Sequence, residues 1–201
     1  ESEIMEIVGT MDFDNYGDID SKSARIRGMI TEVPIPEDLL EEIKRQIDGL
    51  KSPDGKDPFV AVRSSVAVKD SSISSFPGMM DTYHFIKAEA GIIENIRRCW
   101  ASLYTSRAVH RRHQQDIPQN KGVIAPIVQV MVDADVAGVM FTANPITSSR
   151  QEIVIEANWG LGESLVSGEA VVDYFVLTRG SPPRIKEKRV QEKNIMVAFD
   201  R

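Results

Sequence analysis

The chain has 201 residues, 42% of them hydrophobic and 27% charged, which is enough to bury the core of one globular domain. A formal net charge of −6 argues against a general nucleic-acid-binding protein, because such proteins need a basic surface to displace counterions. The single cysteine excludes an internal disulfide and fits a reducing cytoplasm. The absence of any run of eighteen apolar residues argues against a membrane span.

The first half of the sequence predicts mainly helices. Apolar residues recur at helical spacing after Pro36, which stands where the first turn of a helix tolerates proline. The predicted elements are a short helix at 21–30, an amphipathic helix at 37–50, an apolar strand at 59–62 that ends at Arg63, and one arginine-rich helix at 90–115. Residues 64–82 between the last two are small and polar, and they predict a flexible loop.

The second half predicts short strands, because β-branched residues are frequent and polar turns separate the apolar runs. The strands are expected at 123–132, 138–142, 152–156, 173–177 and 184–190, with a turn into a short helix at 160–168. Strands and helices do not alternate strictly. The sequence therefore predicts an α+β fold with mixed or antiparallel sheets and flanking helices.

The segment from Arg63 to Thr82 is the first candidate for anion binding. The chain has no P-loop sequence, so a phosphate would need another cradle. An arginine at a strand end offers a rigid planar fork for phosphate oxygens, and Gly78 lets backbone N–H groups turn toward an anion. Thr82 adds a hydroxyl, and Asp81 could orient the loop. By composition alone, an ordinary surface loop explains the segment equally well.

Two further segments carry polar groups near apolar strands. After the apolar run, Gln129, Met131 and Val132 could read the edge of an adenine and pack on its faces, although an apolar strand ending in a turn is the simpler interpretation. Glu156 and Glu163 flank a glycine pair and could serve a metal or act as general bases. A helix-capping or turn role is favoured for both.

No residue of the chain is predicted to be catalytic or to bind a metal. His110 and His113 share a helical face, but the arginines between them indicate a solvated basic surface. His84 is expected to be structural, and Cys99 is expected to be a buried thiol beside Trp100.

Seven features stand in a characteristic order: AVRSS, a serine-rich stretch, PGMMDTY, RRCWASLYTSRAV, IVQVMV, AGVMFTANP and EANWGLGESLVSG. This order resembles the N-terminal ATP-binding domain of phosphoenolpyruvate synthase, pyruvate phosphate dikinase and rifampin (rifampicin) phosphotransferase, from about Ser21 to about Leu177. PGMMDT is closer to the dikinase form, whereas RCWASLYTSRAV and EANWGLGESLVSG are closer to the other two enzymes.

The resemblance implies an ATP-grasp-like fold, in which two α+β lobes hold ATP. Arg63 is then expected to contact the phosphates, Gly78 and Thr82 to line the loop over them, and Gln129 to lie at the adenine-binding strand. Met131 and Val132 are expected in the hinge against the base. The resemblance gives no definite role to four further motif or loop residues, namely Asp81, Arg98, Glu156 and Glu163.

The resemblance also implies that 1–201 is the central part of this domain, and so an incomplete nucleotide site. The family's glycine-lysine segment does not precede Glu1, and its acidic metal-binding end with a Gln-x-Arg string does not occur before Arg201. The phosphohistidine domain and the pyruvate-binding barrel are expected elsewhere in the same polypeptide. The intact protein is expected to be a cytoplasmic Mg²⁺-dependent phosphotransferase that uses ATP, and a non-catalytic nucleotide-binding module is the alternative. The 201 residues alone are expected to be inactive, with the Mg²⁺ ligands outside them.

Overall fold

The computed structural model describes residues 2–68 and 80–200 and divides the chain into two compact units, 1–131 and 132–201. The first unit combines helices with a three-stranded sheet, and the second is a four-stranded sheet with one short helix. All strand pairs within the two sheets are antiparallel. The expected α+β class with antiparallel sheets is confirmed.

The first unit contains five α-helices among its described residues. They are α1 (Ser2–Gly9), α2 (Tyr16–Glu32), α3 (Glu37–Asp48), α4 (Glu89–Ala101) and α5 (Ser106–Gln114), with 3-10 turns at Ser102–Tyr104 and Gln119–Lys121. The amphipathic helix after Pro36 is confirmed as α3. The short helix expected at 21–30 is longer, because the Asn15 side chain accepts hydrogen bonds from the N–H groups of Gly17 and Asp18 and caps α2 upstream.

The prediction of one helix over 90–115 is wrong. Thr105 has an extended conformation, with φ −64° and ψ 148°, so the helical chain is interrupted between α4 and α5. The hydroxyl of Thr105 accepts a hydrogen bond from the N–H of Ala108 and caps the second helix. Each helix therefore packs its own buried face.

The sheet of the first unit consists of β1 (Val60–Val68), β2 (Tyr83–Ile86) and β3 (Gly122–Val130), in the order β2-β1-β3. The expectation that the strand ends at Arg63 is wrong, because β1 continues in register with β3 as far as the Val68–Gly122 pair. On one face of the sheet, Val60 and Val62 are fully buried and pack against α4 through Ile92, Ile96 and Cys99.

The second unit is built on β4 (Val136–Phe141), β5 (Glu152–Trp159), β6 (Asp173–Thr178) and β7 (Arg184–Arg189), hydrogen-bonded in that order. The short helix α6 (Glu163–Val166) follows β5. Four strands and the short helix were predicted from the sequence at these places, and β5 runs three residues further than expected. Val154 and Val176 pair across β5 and β6 and are buried. In the part of the chain that the structure describes, no helix is long and apolar enough to cross a lipid bilayer.

Candidate functional site

The sheet of the first unit has one face turned away from the helices. Arg63 lies opposite Ile127, and Ala61 lies opposite Gln129. Side chains of directly opposite residues in an antiparallel pair point to the same face, so Arg63 and Gln129 share a face. They are diagonal neighbours, which lie about 7–8 Å apart in such sheets. Both side chains are exposed, as is that of Ser65 two residues beyond Arg63. We call the face defined by Ala61, Arg63, Ser65, Ile127 and Gln129 the open face.

The buried valines determine which residues reach the open face. Side chains alternate along a strand, so the burial of Val60 and Val62 against α4 turns Arg63 to the other side. Two residues predicted from separate motifs are thus brought together by β1–β3 pairing. The structure does not place the Arg63 guanidinium at a strand end, as the sequence had suggested, but in the middle of a paired strand.

The last three residues of the loop candidate, from Met80 to Thr82, are described, while Gly78 lies outside the described residues. Thr82 is exposed and directly precedes β2. Its neighbour Asp81 accepts a hydrogen bond from Arg107 Nη2 at 2.5 Å and one from the Tyr83 hydroxyl at 3.4 Å. Burial, and then the negative charge of Asp81, raise the pKa of Tyr83 to about 12.

Met131 directly follows β3 and forms hydrogen bonds with residues beside β1 and in β2. Its N–H donates to the carbonyl of Phe59 at 2.8 Å, and its Sδ accepts from the N–H of Phe85 at 3.2 Å. Val132 is 74% exposed. The boundary between the two units falls between Met131 and Val132, the two residues expected in the hinge.

Arg98 lies away from the open face. It stands in the last turn of α4, where its Nε donates to Glu94 Oε1 at 3.1 Å. It lines an open cavity of about 270 Å³ on the helix side of the sheet, together with Arg27, Asp81, Tyr83 and Ser102. The structure therefore brings Arg98 near Asp81 but not beside Arg63 and Gln129.

Glu156 and Glu163 belong to the second unit. Glu156 is half-buried in the middle of β5, opposite Val139 and Tyr174, and Glu163 is exposed at the start of α6. Within residues 2–68 and 80–200, no group of three or more histidine, cysteine, aspartate or glutamate side chains could hold a metal ion.

The glycine motif around these carboxylates has a structural task. Gly160 has φ +73°, and the backbone of Val197 passes so close that an added Cβ would lie 2.2 Å from the Val197 carbonyl oxygen. Next to it, the buried amide of Asn158 donates to Ser164 Oγ at 3.1 Å and to the Ile195 carbonyl at 3.0 Å. Asn158 was not predicted from the sequence to have a role.

Two histidines and the cysteine make contacts within the first unit. The rings of His113 and Phe13 stack with centroids 3.8 Å apart, and His110 Nε2 lies 2.9 Å from Gln114 Nε2. Cys99 is fully buried, and this burial raises the pKa of its thiol to about 11.

The prediction of a solvated basic surface between His110 and His113 is wrong for Arg112, although arginine is usually exposed. Its side chain is only 1% exposed, and it donates to Gln119 Oε1 and to the Leu103 carbonyl, each at 2.7 Å. Burial lowers the pKa of Arg112 to about 10.

Comparison with known proteins identifies the family of the chain. Residues 1–201 match the family described as pyruvate phosphate dikinase, AMP/ATP-binding domain. The chain belongs to this family. The resemblance read from the seven features is confirmed, and the family description gives the domain an AMP/ATP-binding class.

Relatives of this domain occur in two kinds of named enzyme. The chain is 39% identical to a probable phosphoenolpyruvate synthase of Pyrococcus abyssi over 96% of its length and 24% of the relative's. It is 38% identical to the phosphoenolpyruvate synthase of Pyrococcus furiosus, again over 96% of the chain and 24% of the relative. It is 39% identical to the rifampicin phosphotransferase of Bacillus subtilis, over 92% of the chain and 20% of the relative. The chain thus spans about a quarter or less of the length of these three relatives.

Proposed function

We propose that this chain is the ATP-binding part of a phosphotransferase of the phosphoenolpyruvate synthase type. The observation that carries the proposal is the placement of Arg63 and Gln129 on one exposed face of a sheet whose chain belongs to an AMP/ATP-binding family. The intact enzyme would convert ATP, pyruvate and water to phosphoenolpyruvate, AMP and phosphate through a phosphohistidine. The phosphohistidine and pyruvate-binding domains would lie elsewhere in the same polypeptide, and the 201 residues would be inactive without them.

Arg63 is the residue we assign to the phosphates. Its guanidinium is always charged and its planar fork suits two oxygens of one phosphate. Arg63 and the residues before and after it in β1 are all paired with β3, so the backbone at Arg63 is held rigidly before any ligand binds. Thr82, which directly precedes β2, would contact the same phosphates, as would Gly78, which lies outside the described residues.

The adenine is assigned to the end of β3. The two hydrogen bonds of Met131 fix this segment, so its thioether can pack on a flat ring without prior rearrangement. Gln129 and Val132 flank it along the chain and complete the proposed contact. An ATP-grasp-like arrangement, with the hinge at Met131 and Val132, belongs to the same proposal.

A charged polyphosphate needs a counterion, and we propose Mg²⁺. Magnesium commonly binds through one or two carboxylates, waters and the substrate phosphates themselves. As the resemblance implies, we expect its protein ligands outside this chain, and we derive no step through the ion. The single cysteine, Cys99, is a buried free thiol, which fits a reducing compartment and supports a cytoplasmic location. We propose neither nucleic acid nor membrane as a partner.

The test is the variant Arg63→Ala in the intact protein. Loss of one charge-assisted hydrogen bond to phosphate costs about 1.5–3 kcal/mol, which weakens ATP binding by roughly ten- to 150-fold. Calorimetry measures the dissociation constant, and labelled ATP measures phosphorylation of the histidine, which we expect to disappear. Arg111→Ala is the matched control, since Arg111 is an exposed arginine of α5 in the same unit. Unchanged ATP binding and labelling in Arg63→Ala would contradict the assignment.

A second candidate function is phosphorylation of an acceptor other than pyruvate. The rifampicin phosphotransferase of Bacillus subtilis is 39% identical to this chain, the same identity as that of the probable phosphoenolpyruvate synthase of Pyrococcus abyssi. A dikinase-type domain is a variant of the same proposal. Incubating the intact protein with ATP and either pyruvate, pyruvate plus phosphate, or rifampicin separates the three by their products. Tight ATP binding without transfer to any acceptor would instead indicate a non-catalytic nucleotide-binding module.

A further inference from the structure

Thr82 is an exposed residue that belongs to neither a helix nor a strand, yet the proposed site needs its hydroxyl at a fixed place. An exposed side chain is positioned by the backbone on its two sides. On the C-terminal side the backbone is fixed at once, because Tyr83 begins β2 and pairs with Val62. On the N-terminal side, Met80 and Asp81 belong to no helix or strand, so side-chain contacts must hold the backbone there.

Asp81 provides an ionic anchor on that side. Its Oδ1 accepts a hydrogen bond from Arg107 Nη2 at 2.5 Å, a contact between residues 26 positions apart in sequence. The two side chains are 36% and 53% exposed, so the pair is accessible to solvent and contributes little to global stability. A charge-assisted bond of this length nevertheless defines the direction of the Asp81 side chain. Since Asp81 and Thr82 are adjacent, the direction of one constrains the other.

Met80 provides an apolar anchor directly before Asp81. It is buried in a cluster with Leu103 and Ala108, which lie on either side of the start of α5. Ala108 is fully buried and immediately follows Arg107 in the chain. Met80 and Asp81 thus dock side by side on the same turn of α5, one through packing and one through charge.

The backbone that carries Arg107 is itself rigid. Thr105 caps α5 through its hydroxyl, and Ser106 Oγ donates to Asp20 Oδ1 on α2 at 2.5 Å. The residue after Arg107 has no exposed surface. Because the backbone that carries Arg107 is fixed, its guanidinium restricts the position of Asp81. A guanidinium on a mobile loop would instead move with its partner.

We propose that Arg107 is a positioning residue for nucleotide binding, which acts through Asp81 on Thr82 and does not touch the nucleotide itself. The proposal rests on the proposed function, because it takes Thr82 as a phosphate contact. It gives the Asp81–Arg107 pair a role that its small contribution to stability does not explain.

The test is a double-mutant cycle in the intact protein. Arg107→Ala is expected to weaken ATP binding about tenfold in the wild-type background, because contacting residues in one network couple at this scale. In the Thr82→Ala background the same substitution is expected to weaken binding less than about twofold, since the residue through which it acts is already gone. Calorimetry with ATP and with adenosine separates the two parts of the site, and only ATP binding is expected to change.

Two further variants keep the outcome clear. Arg107→Lys retains a cation and is expected to recover part of the affinity, and Arg111→Ala controls for loss of a positive charge on α5. An equal loss from Arg107→Ala in both backgrounds would overturn the proposal, as would a loss that extends equally to adenosine. Failure of the proposed function has a different signature, because Arg63→Ala would then leave ATP binding intact.

Discussion

The close approach of residue 197 to Gly160 predicts a large effect from a single methyl group. In Gly160→Ala the new Cβ would lie 2.2 Å from the Val197 carbonyl oxygen and 2.7 Å from Met196 Cγ. The left-handed backbone, φ +73°, costs an alanine roughly 1–2 kcal/mol by itself. Relieving the contact with oxygen requires Val197 to move away, which weakens the 2.7 Å hydrogen bond from the Leu161 N–H to the same carbonyl by about 0.5–1.5 kcal/mol. The sum is a destabilisation of about 2–4 kcal/mol with the remaining steric strain.

Gly168 offers a matched control in the same unit. Its φ is +76°, nearly that of Gly160, but no atom lies within 4 Å of an added Cβ. Gly168→Ala is therefore expected to lose only the backbone cost of roughly 1–2 kcal/mol. Urea unfolding measures both losses, and in a Trp100→Phe background the fluorescence of Trp159 reports on the second unit. Equal losses in the two variants would refute the reasoning, because backbone strain alone would then explain both.

Two further predictions concern buried groups of the first unit. Burial raises the pKa of Cys99 from 9.0 to about 11, so the contribution of this thiol to stability is present below pH 9 and declines as the pH rises toward 11. Cys99→Ala should flatten this decline when the free energy of unfolding is measured by urea titration at each pH. The wild-type thiol should react with a disulfide reagent at pH 8 only after unfolding. Arg112→Met should lower the free energy of unfolding by about 1–3 kcal/mol, because it leaves Gln119 Oε1 and the Leu103 carbonyl without their donor, whereas Arg111→Met on the exposed side should change it by less than about 0.5 kcal/mol.

Elements with a regular apolar spacing could be predicted from the sequence. Helix α3 follows from leucines and isoleucines that recur on one face after a proline, and most strands of the second unit follow from short β-branched runs between turns. The interruption between α4 and α5 could not be predicted, because every residue from Arg97 to Val109 is compatible with a helix. The interruption depends on Thr105 acting as a cap.

The length of β1 was missed for a related reason. Ser64 and Ser65 suggested a loop, since small polar residues are common in turns. Their strand conformation comes from pairing with Pro126 and Ala125 of β3, a partner far away in sequence. Such long-range pairing overrides local preference, and local sequence does not report it. The ion pair of Asp81 with Arg107 was missed likewise, because the two residues are 26 positions apart and no local pattern joins them.

The position of Arg63 follows from hydrophobic burial and needs no ligand to enforce it. A slip of β1 by one residue against its neighbours would expose Val60 and Val62 and turn Arg63 into the helix layer. Each fully buried valine contributes roughly 1.5–3 kcal/mol relative to an exposed one, so the slip would cost about 3–6 kcal/mol before the burial of a guanidinium is counted. The register that protects the valines therefore also presents Arg63 and Gln129 on the open face. A nucleotide would meet a surface already arranged by the core beneath it, and its binding energy would not be spent on moving the strand.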